Sequence, residues 1–173
     1  MSKLHFNFGT MGSGKSIDVL RVAHSYTEAG MRALLAKPRV DTKAGDSVES
    51  RIGPSRKVDI LVPPEMNIEA EVLLRQERIG QINCLITDES QFFTEEQVDQ
   101  LFNLAVTHSV AVVSFGLRTD FKTQSFLGSK RFFEVAHEIN QQKMICRCGK
   151  RAVFNTRCEN GRAVFSGEQV AID

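Results

Sequence analysis

Apolar segments of strand length alternate with amphipathic helical segments over roughly the first 140 residues. Residues 4–8 alternate between apolar and polar side chains, as expected of a strand. The helix that follows should end near Gly30, because glycine suits the left-handed position after a helix. Further strands are predicted at 33–36, 58–62, 82–86 and 110–115, with helices at 68–79 and after the capping box at 94–97. This alternation predicts an α/β fold with a central parallel sheet.

Two stretches depart from this pattern. Residues 39–55 are polar and aperiodic, and we expect a long mobile loop there, since such loops are uncommon in compact domains unless they are functional. After about Gln142 the chain changes to short polar segments with several turn signals. We therefore expect a main domain of residues 1–141 and a small second domain of residues 142–173.

A complete phosphate-loop motif, G-x-x-x-x-G-K-[ST], lies between the first predicted strand and helix. Its glycines let backbone N–H groups point inward at phosphate oxygens, at the positive end of the helix. The lysine supplies charge for the β- and γ-phosphates, and the hydroxyl is placed to bind Mg²⁺. A glycine-rich turn capping an ordinary helix is the alternative, but the strand–loop–helix context favours binding of a nucleoside triphosphate. The motif comprises Gly9, Thr10, Met11, Gly12, Ser13, Gly14, Lys15 and Ser16.

An acidic pair, Asp88 and Glu89, follows the predicted strand at 82–86. The carboxyl ends of parallel strands form the edge where ligands collect, beside the phosphate loop. We expect Asp88 to complete the Mg²⁺ site begun by Ser16, and Glu89 to act as the general base that accepts a proton from an attacking hydroxyl. The pair could instead cap the next helix, but the upstream phosphate loop favours the catalytic role.

Aromatic residues lie next to these candidate groups. Gln91 and Phe92 follow the acidic pair, and at the mouth of a nucleotide site they could pair with and stack on a base. Consecutive phenylalanines are more often core, and we expect either Phe92 or Phe93 to be buried there. For the loop at 116–121 the pattern alone leaves core and base-binding roles equally open.

The composition argues against nucleic acid and membranes as binding partners. The 173 residues contain 22 Lys and Arg against 21 Asp and Glu, so a basic footprint for nucleic acid or a membrane surface is missing. The longest apolar runs fall far short of the ~20 residues that span a bilayer. Without a secretory signal pattern at the start, we expect a cytoplasmic protein whose four cysteines are thiols or metal ligands rather than disulfides.

Taken together, residues 9–16, the run at 88–92, the loop at 116–121 and the pair Cys146 and Cys148 resemble those of cytosolic-type thymidine kinases. The resemblance covers nearly the whole chain, and the motifs occur in the same order as in that family. It implies ATP- and Mg²⁺-dependent phosphorylation of thymidine, and of deoxyuridine, at the 5′-hydroxyl, giving dTMP for nucleotide salvage and DNA synthesis. It further implies a RecA-like P-loop domain with a small zinc-ribbon and lasso domain, a homotetramer, and dTTP as a feedback inhibitor.

The resemblance also gives roles to single residues. Lys15 and Ser16 would serve ATP and Mg²⁺, Asp88 the metal, and Glu89 general-base catalysis, while Gln91 would lie beside ATP and support the pocket. The descending arm of the lasso would be residues 167–172. The residues that the resemblance places around the nucleoside are Met11, Arg51, Phe92, Leu117, Phe121, Asn155 and Val170.

The metal prediction is the least complete. Structural zinc takes four ligands, and Cys146 and Cys148 supply two at an unusually tight C-x-C spacing. The resemblance implies a second ligand pair and a later tyrosine that are missing here, and we expect a truncated sequence; Cys158 and His137 could complete a set.

A different class of function stays open beside the kinase. The chain could be a P-loop switch ATPase whose zinc module binds a partner, since such ATPases also use a glutamate next to the metal-binding aspartate. The aromatic residues around 92 and 117–121 favour the kinase, because a switch needs no nucleoside pocket.

Overall fold

The structure is a computed structural model that describes residues 1–40, 45–51 and 53–166. Four helices and a short 3₁₀ turn at Ser90–Phe92 accompany ten strands in the described part of the chain. The helices are α1 (Lys15–Glu28), α2 (Ile68–Ile79), α3 (Glu95–Val106) and α4 (Leu127–Val135). The strands are β1 (Leu4–Phe8), β2 (Ala33–Pro38), β3 (Ser47–Glu49), β4 (Ser55–Lys57), β5 (Ile60–Val62), β6 (Cys84–Thr87), β7 (Ala111–Gly116), β8 (Glu138–Gln141), β9 (Arg157–Glu159) and β10 (Arg162–Val164).

Six of these strands form one sheet in the order β5-β2-β6-β7-β1-β8, and every neighbouring pair is parallel. The predicted α/β fold with a central parallel sheet is therefore confirmed. Because the strands are parallel, the segments that follow β1, β6 and β7 all leave the sheet at one edge. That edge brings together the phosphate loop, the acidic pair and the loop at 116–121.

Both faces of the sheet are covered by apolar layers. On one face, the rings of Phe6 and Phe132 stack with centroids 4.6 Å apart, and Leu101 of α3 packs in the same fully buried cluster. On the other face, Val19 of α1 packs with a second buried cluster that includes Leu35. Helices on both faces explain why the central strands are nearly continuous apolar runs.

The expectation of a long mobile loop over residues 39–55 is wrong in part. Within the described residues of this stretch, β3 and the start of β4 form an antiparallel ribbon. Val48 is fully buried and packs with the cluster on the α1 face. Strands of three mostly polar residues give no alternation in the sequence, so tertiary packing alone reveals them.

Two other elements were not predicted. Helix α4 follows the loop at 116–121, and β8 forms the polar edge strand of the sheet, where Ile139 is exposed. The predicted strand at 58–62 is shorter and begins at Ile60. Edge strands with polar side chains lack the apolar run that marks a central strand.

Residues 142–166 lie outside the main sheet. They contain the antiparallel pair β9 and β10, and none of them is buried. A boundary near 141 stays a prediction. None of the described helices combines the length and apolar character needed to cross a bilayer.

Candidate functional site

The phosphate loop is a tight turn between β1 and α1. Gly12 and Gly14 have φ angles of +79° and +88°, in the region that favours glycine. A Cβ atom on Gly9 would lie 2.4 Å from the Ser13 Oγ atom, which leaves no room for a side chain. The Gly9 N–H donates to the Gly116 carbonyl at 3.2 Å. The loop therefore has the conformation that its motif predicts, and it is tied to the end of β7.

Lys15 lies inside this loop. Its Nζ atom donates to the Thr10 carbonyl at 2.7 Å, and it lies 3.4 Å from both the Gly9 carbonyl and the Ser13 Oγ atom. The loop thus holds the ammonium group in the concave space that phosphate oxygens would enter. Its charge is already placed for an anionic ligand.

Charges of both signs surround Lys15. Burial lowers the pKa of Lys15, and the Glu89 and Asp88 carboxylates oppose this effect, whereas the Arg51 guanidinium reinforces it. The Arg51 Nη1 atom also lies 3.7 Å from the point where a Cβ on Gly12 would be. Arg51, which the family resemblance placed around the nucleoside, therefore reaches the phosphate loop from the β3–β4 ribbon.

The acidic pair ends β6 as predicted. Asp88 is only 4% exposed, and burial, assisted by the Glu89 carboxylate, raises its pKa to about 6. The Glu89 N–H donates to Asp88 Oδ1 at 2.9 Å. The two residues line a cleft together with Ser16 and Glu49. Hydroxyl and carboxylate oxygens are the ligands that Mg²⁺ prefers, so this donor set fits that ion.

Gln91 fixes the orientation of Glu89. It is buried, its Nε2 atom donates to Glu89 Oε2 at 2.5 Å, and its Oε1 atom accepts from the Leu117 N–H at 3.0 Å. Glu89 itself has a φ of +50°, a left-handed conformation that a glutamate rarely adopts. A candidate base held by its backbone and by a buried amide has little freedom to turn away.

Asn155 connects two parts of the site. Its Oδ1 atom accepts from the Met11 N–H at 2.8 Å, and its Nδ2 atom is 3.5 Å from the Thr119 carbonyl. The phosphate loop and the loop after β7 are thereby joined through one side chain. Asn155 and Met11 are both among the residues expected around the nucleoside, and the structure places them in contact.

The predicted aromatic residues have different environments. Phe93 is 2% exposed and belongs to the core, whereas Phe92 is half-buried and meets Phe126 edge to face, with ring centroids 5.5 Å apart. Phe121 is buried, and the Arg157 guanidinium lies 4.1 Å from its ring centroid. Phe93 is therefore the core member of the pair, and Phe92 stays available at the site.

Lys37 is a site residue that the sequence reasoning missed. It is the next-to-last residue of β2, is 8% exposed, lines the same cleft as the acidic pair, and lowers the pKa of Asp88 against the effect of burial. Its Nζ atom donates to the carbonyls of Gly45 and Ser47 at 3.3 and 3.2 Å. The available signal was a lysine that directly follows the apolar run at 33–36, at the sheet edge that carries the phosphate loop.

Gly128 at the start of α4 was also missed. A Cβ on Gly128 would lie 2.6 Å from the Phe93 carbonyl and 3.0 Å from the Gln91 carbonyl. The helix backbone therefore packs directly on the 3₁₀ turn that carries Gln91 and Phe92. No sequence signal distinguished this glycine from one in a loop.

The cysteine pair lies in a tight turn that ends with Gly149. Cys146 and Cys148 are both exposed, and the Gly149 N–H donates to the Cys146 carbonyl at 2.9 Å. Over residues 1–40, 45–51 and 53–166, no three His, Cys, Asp or Glu side chains group closely enough to hold a metal ion. Two thiols do not fit four-coordinate zinc. Val170 and the predicted lasso at 167–172 lie outside the described residues.

The family model and the curated relatives that match this chain carry the same description. A family model described as thymidine kinase matches residues 2–170. Curated relatives include the thymidine kinase of Enterobacteria phage T4, 39% identical over 99% of this chain and 89% of the phage protein. The thymidine kinase of Legionella pneumophila strain Paris is 39% identical over 99% of this chain and 83% of its own length. That of Francisella tularensis strain SCHU S4 is 34% identical over 100% and 87%.

Proposed function

This chain belongs to the thymidine kinase family, and from that premise we propose that it transfers the γ-phosphate of ATP to the 5′-hydroxyl of thymidine. The observation that carries this proposal is the arrangement of Lys15, Asp88 and Glu89 around one cleft beside a complete phosphate loop. Phosphoryl transfer requires positioning and charge stabilisation more than covalent chemistry. This cleft offers a cation, a candidate metal ligand and a candidate base.

The phosphate loop binds the triphosphate. Backbone N–H groups at the start of α1 face the phosphate oxygens, and Lys15 exchanges its hydrogen bonds to the Thr10 and Gly9 carbonyls for bonds to the β- and γ-phosphates. Ser16 and Asp88 would hold Mg²⁺, which would supply positive charge to balance that of the triphosphate. Arg51 approaches the same oxygens from the ribbon.

Glu89 acts as the general base. As the O–H bond of the 5′-hydroxyl breaks, the carboxylate accepts the proton and the hydroxyl oxygen bonds to the γ-phosphorus. Gln91 keeps the carboxylate oriented through its bond to Oε2. The ADP oxygen leaves on the opposite side of the phosphorus.

The nucleoside lies between the phosphate loop and the loop after β7. Phe92 stacks on the thymine, and Leu117, Phe121 and Met11 line the pocket, because a ring system gains most from apolar and aromatic neighbours. Asn155 lies beside the base. Val170 and the lasso at 167–172 complete the pocket on the basis of the sequence alone.

Several finer proposals rest on the family resemblance. They are use of deoxyuridine, a role in nucleotide salvage, inhibition by dTTP, assembly as a homotetramer, a cytoplasmic location, and a second domain at 142–173. Zinc at Cys146 and Cys148 needs two further ligands, and metal analysis of the purified chain tests it.

The first experiment is an ATP-consumption assay with Mg²⁺, with and without thymidine, in which dTMP is identified as the product. Thymidine-dependent turnover that yields dTMP supports the kinase. ATP consumption that does not depend on any added nucleoside would instead indicate a switch ATPase. Lys15→Ala should abolish turnover, while Lys130→Ala on the exposed face of α4 serves as a matched control.

A further inference from the structure

Arg118 lies between two aromatic rings that come from different parts of the chain. Its guanidinium carbon is 5.7 Å from the ring centroid of Phe8, at the end of β1, and 4.7 Å from that of Phe154. Phe8 is buried, whereas Phe154 is 50% exposed and lies in the segment after the sheet. Arg118 thus joins the sheet to residues 142–166, a contact that the reaction proposed above does not use.

We propose that Arg118 is a positioning residue of the nucleoside site, and that its stacking on Phe154 seats Asn155 against the phosphate loop. This inference rests on the proposed function. Asn155 directly follows Phe154, so a shift of the ring also moves the amide. That amide touches the Met11 N–H and the Thr119 carbonyl, on opposite sides of the site.

Single contacts rather than a buried core hold this segment in place, and one of them is the Arg157 guanidinium, 4.1 Å from the ring centroid of Phe121. No residue from 142 to 166 is buried, so burial of apolar side chains contributes little to its attachment. Its described contacts with the phosphate loop include those from Met144 Sδ to Thr10 Oγ1 at 3.8 Å and from Gln142 Oε1 to Ser13 Oγ at 3.4 Å. Stacking of a partly desolvated guanidinium on an aromatic ring is a comparatively strong contact among these.

Arginine suits this role better than lysine. A planar guanidinium can contact an aromatic ring on each face, whereas an ammonium group is a compact and strongly hydrated charge. Arg118→Lys should therefore restore only part of what Arg118→Leu removes. A requirement for positive charge alone would instead be met in full by lysine.

A double-mutant cycle between Arg118→Leu and Phe154→Leu tests the proposal in steady-state kinetics. Each single variant should raise the thymidine KM by about three- to tenfold, the range expected for one cation–π contact. The ATP KM and kcat should stay within about twofold, because Lys15, Asp88 and Glu89 make no described contact with Arg118 or Phe154. The double variant should be no worse than the more affected single variant, because both changes remove the same contact.

The matched control is Arg75→Leu on α2, where the arginine pairs with Glu71 of the same helix. It should leave the thymidine KM unchanged. Additive effects of the two leucine variants would overturn the proposal. So would equal changes in both KM values, or a lower Tm with unchanged KM, which would make Arg118 structural only.

Amide hydrogen exchange at Met11 in the substrate-free protein provides a readout that does not depend on turnover. Exchange should be faster in both leucine variants, since the acceptor on Asn155 is displaced. Unchanged exchange would overturn the proposal even if the wild type phosphorylates thymidine. If exchange is faster in both leucine variants but the wild type does not phosphorylate thymidine, the seating of Asn155 is supported and the proposed function alone is overturned.

Discussion

The sheet domain and the segment after it are held together by different forces. Every buried apolar side chain in the described part of the chain lies between residues 4 and 132, while residues 142–166 have none. The sheet domain therefore derives its stability from burial. The later segment depends on individual hydrogen bonds and on contacts of two guanidinium groups with aromatic rings, those of Arg118 and Arg157.

This difference matches a division of tasks. Asp88, directly after β6, and Gln91, in the 3₁₀ turn, are almost fully buried, so the groups proposed for chemistry are held by packed surroundings. Asn155 is proposed for recognition and reaches the site from a segment with few buried contacts. Segments of low local stability open and close most easily, which suits a part that must admit and release a nucleoside. In this proposal, the sheet domain positions the reacting groups, and the segment at 142–166 controls access for the nucleoside.

The largest expected effect concerns the chemistry of the sheet domain. Glu89→Gln removes the proton acceptor but keeps the size of the side chain, so kcat should fall by about 10²- to 10⁴-fold. Thymidine binding, measured by calorimetry, should be nearly unchanged. Glu96→Gln, an exposed change on α3, is the control. A Glu89→Gln enzyme close to wild-type speed would remove Glu89 from the role of base.

Truncating one phenylalanine in each region sharpens the contrast in stability. Phe132→Ala should lower the free energy of unfolding by about 3–5 kcal/mol, since the ring is fully buried against Phe6. Phe165→Ala removes a ring that is mostly exposed and should change it by less than about 0.5 kcal/mol. Urea unfolding measures both values, and equal losses would contradict the comparison.

The buried carboxyl of Asp88 should make stability depend on pH. Burial raises its pKa to about 6 from 3.8, so the folded protein binds this proton more tightly than the unfolded chain does. Its contribution to stability is thus present below pH 4 and lost as pH rises towards 6, by up to about 3 kcal/mol in total. Unfolding in chelator at pH 4.5 and 7.5 should show this loss in the wild type and not in Asp88→Asn. Identical pH profiles would contradict it.

Cysteine alkylation compares the two regions within one molecule. Burial raises the pKa of Cys84 to about 12, whereas hydrogen bonds from Cys148 lower the pKa of the exposed Cys146 thiol. Because the thiolate is the reactive form, iodoacetamide at pH 7.5 with chelator should modify Cys146 at least about a hundredfold faster than Cys84. Mass spectrometry of timed samples checks this, and urea should abolish the difference.

Local chemical rules predicted the elements that carry the site. The capping box at Thr94 is present in full, because Thr94 and Gln97 exchange both of its hydrogen bonds. The phosphate loop and the acidic pair also lie where the motif and strand pattern placed them. Each of these depends on residues close together in sequence, so a single chain contains the information.

The elements that escaped prediction depend on distant partners. The β3–β4 ribbon is fixed by Val48 packing on the α1 face, and the site role of Lys37 emerges only once β2 lies beside β6. The edge strand β8 has almost no apolar pattern because solvent covers one of its sides. Secondary-structure propensity and hydrophobic periodicity do not predict such features, since long-range contacts decide them.

The glycine at the start of α4 has a mechanical consequence. With Gly128 against the carbonyls of Gln91 and Phe93, two backbones meet without the layer of side chains that usually separates packed elements. Side chains deform more readily than backbone, so this joint has little compliance. A movement of the α4 backbone at Gly128 should therefore be transmitted to the turn that carries Gln91, the residue that bonds to the proposed base Glu89.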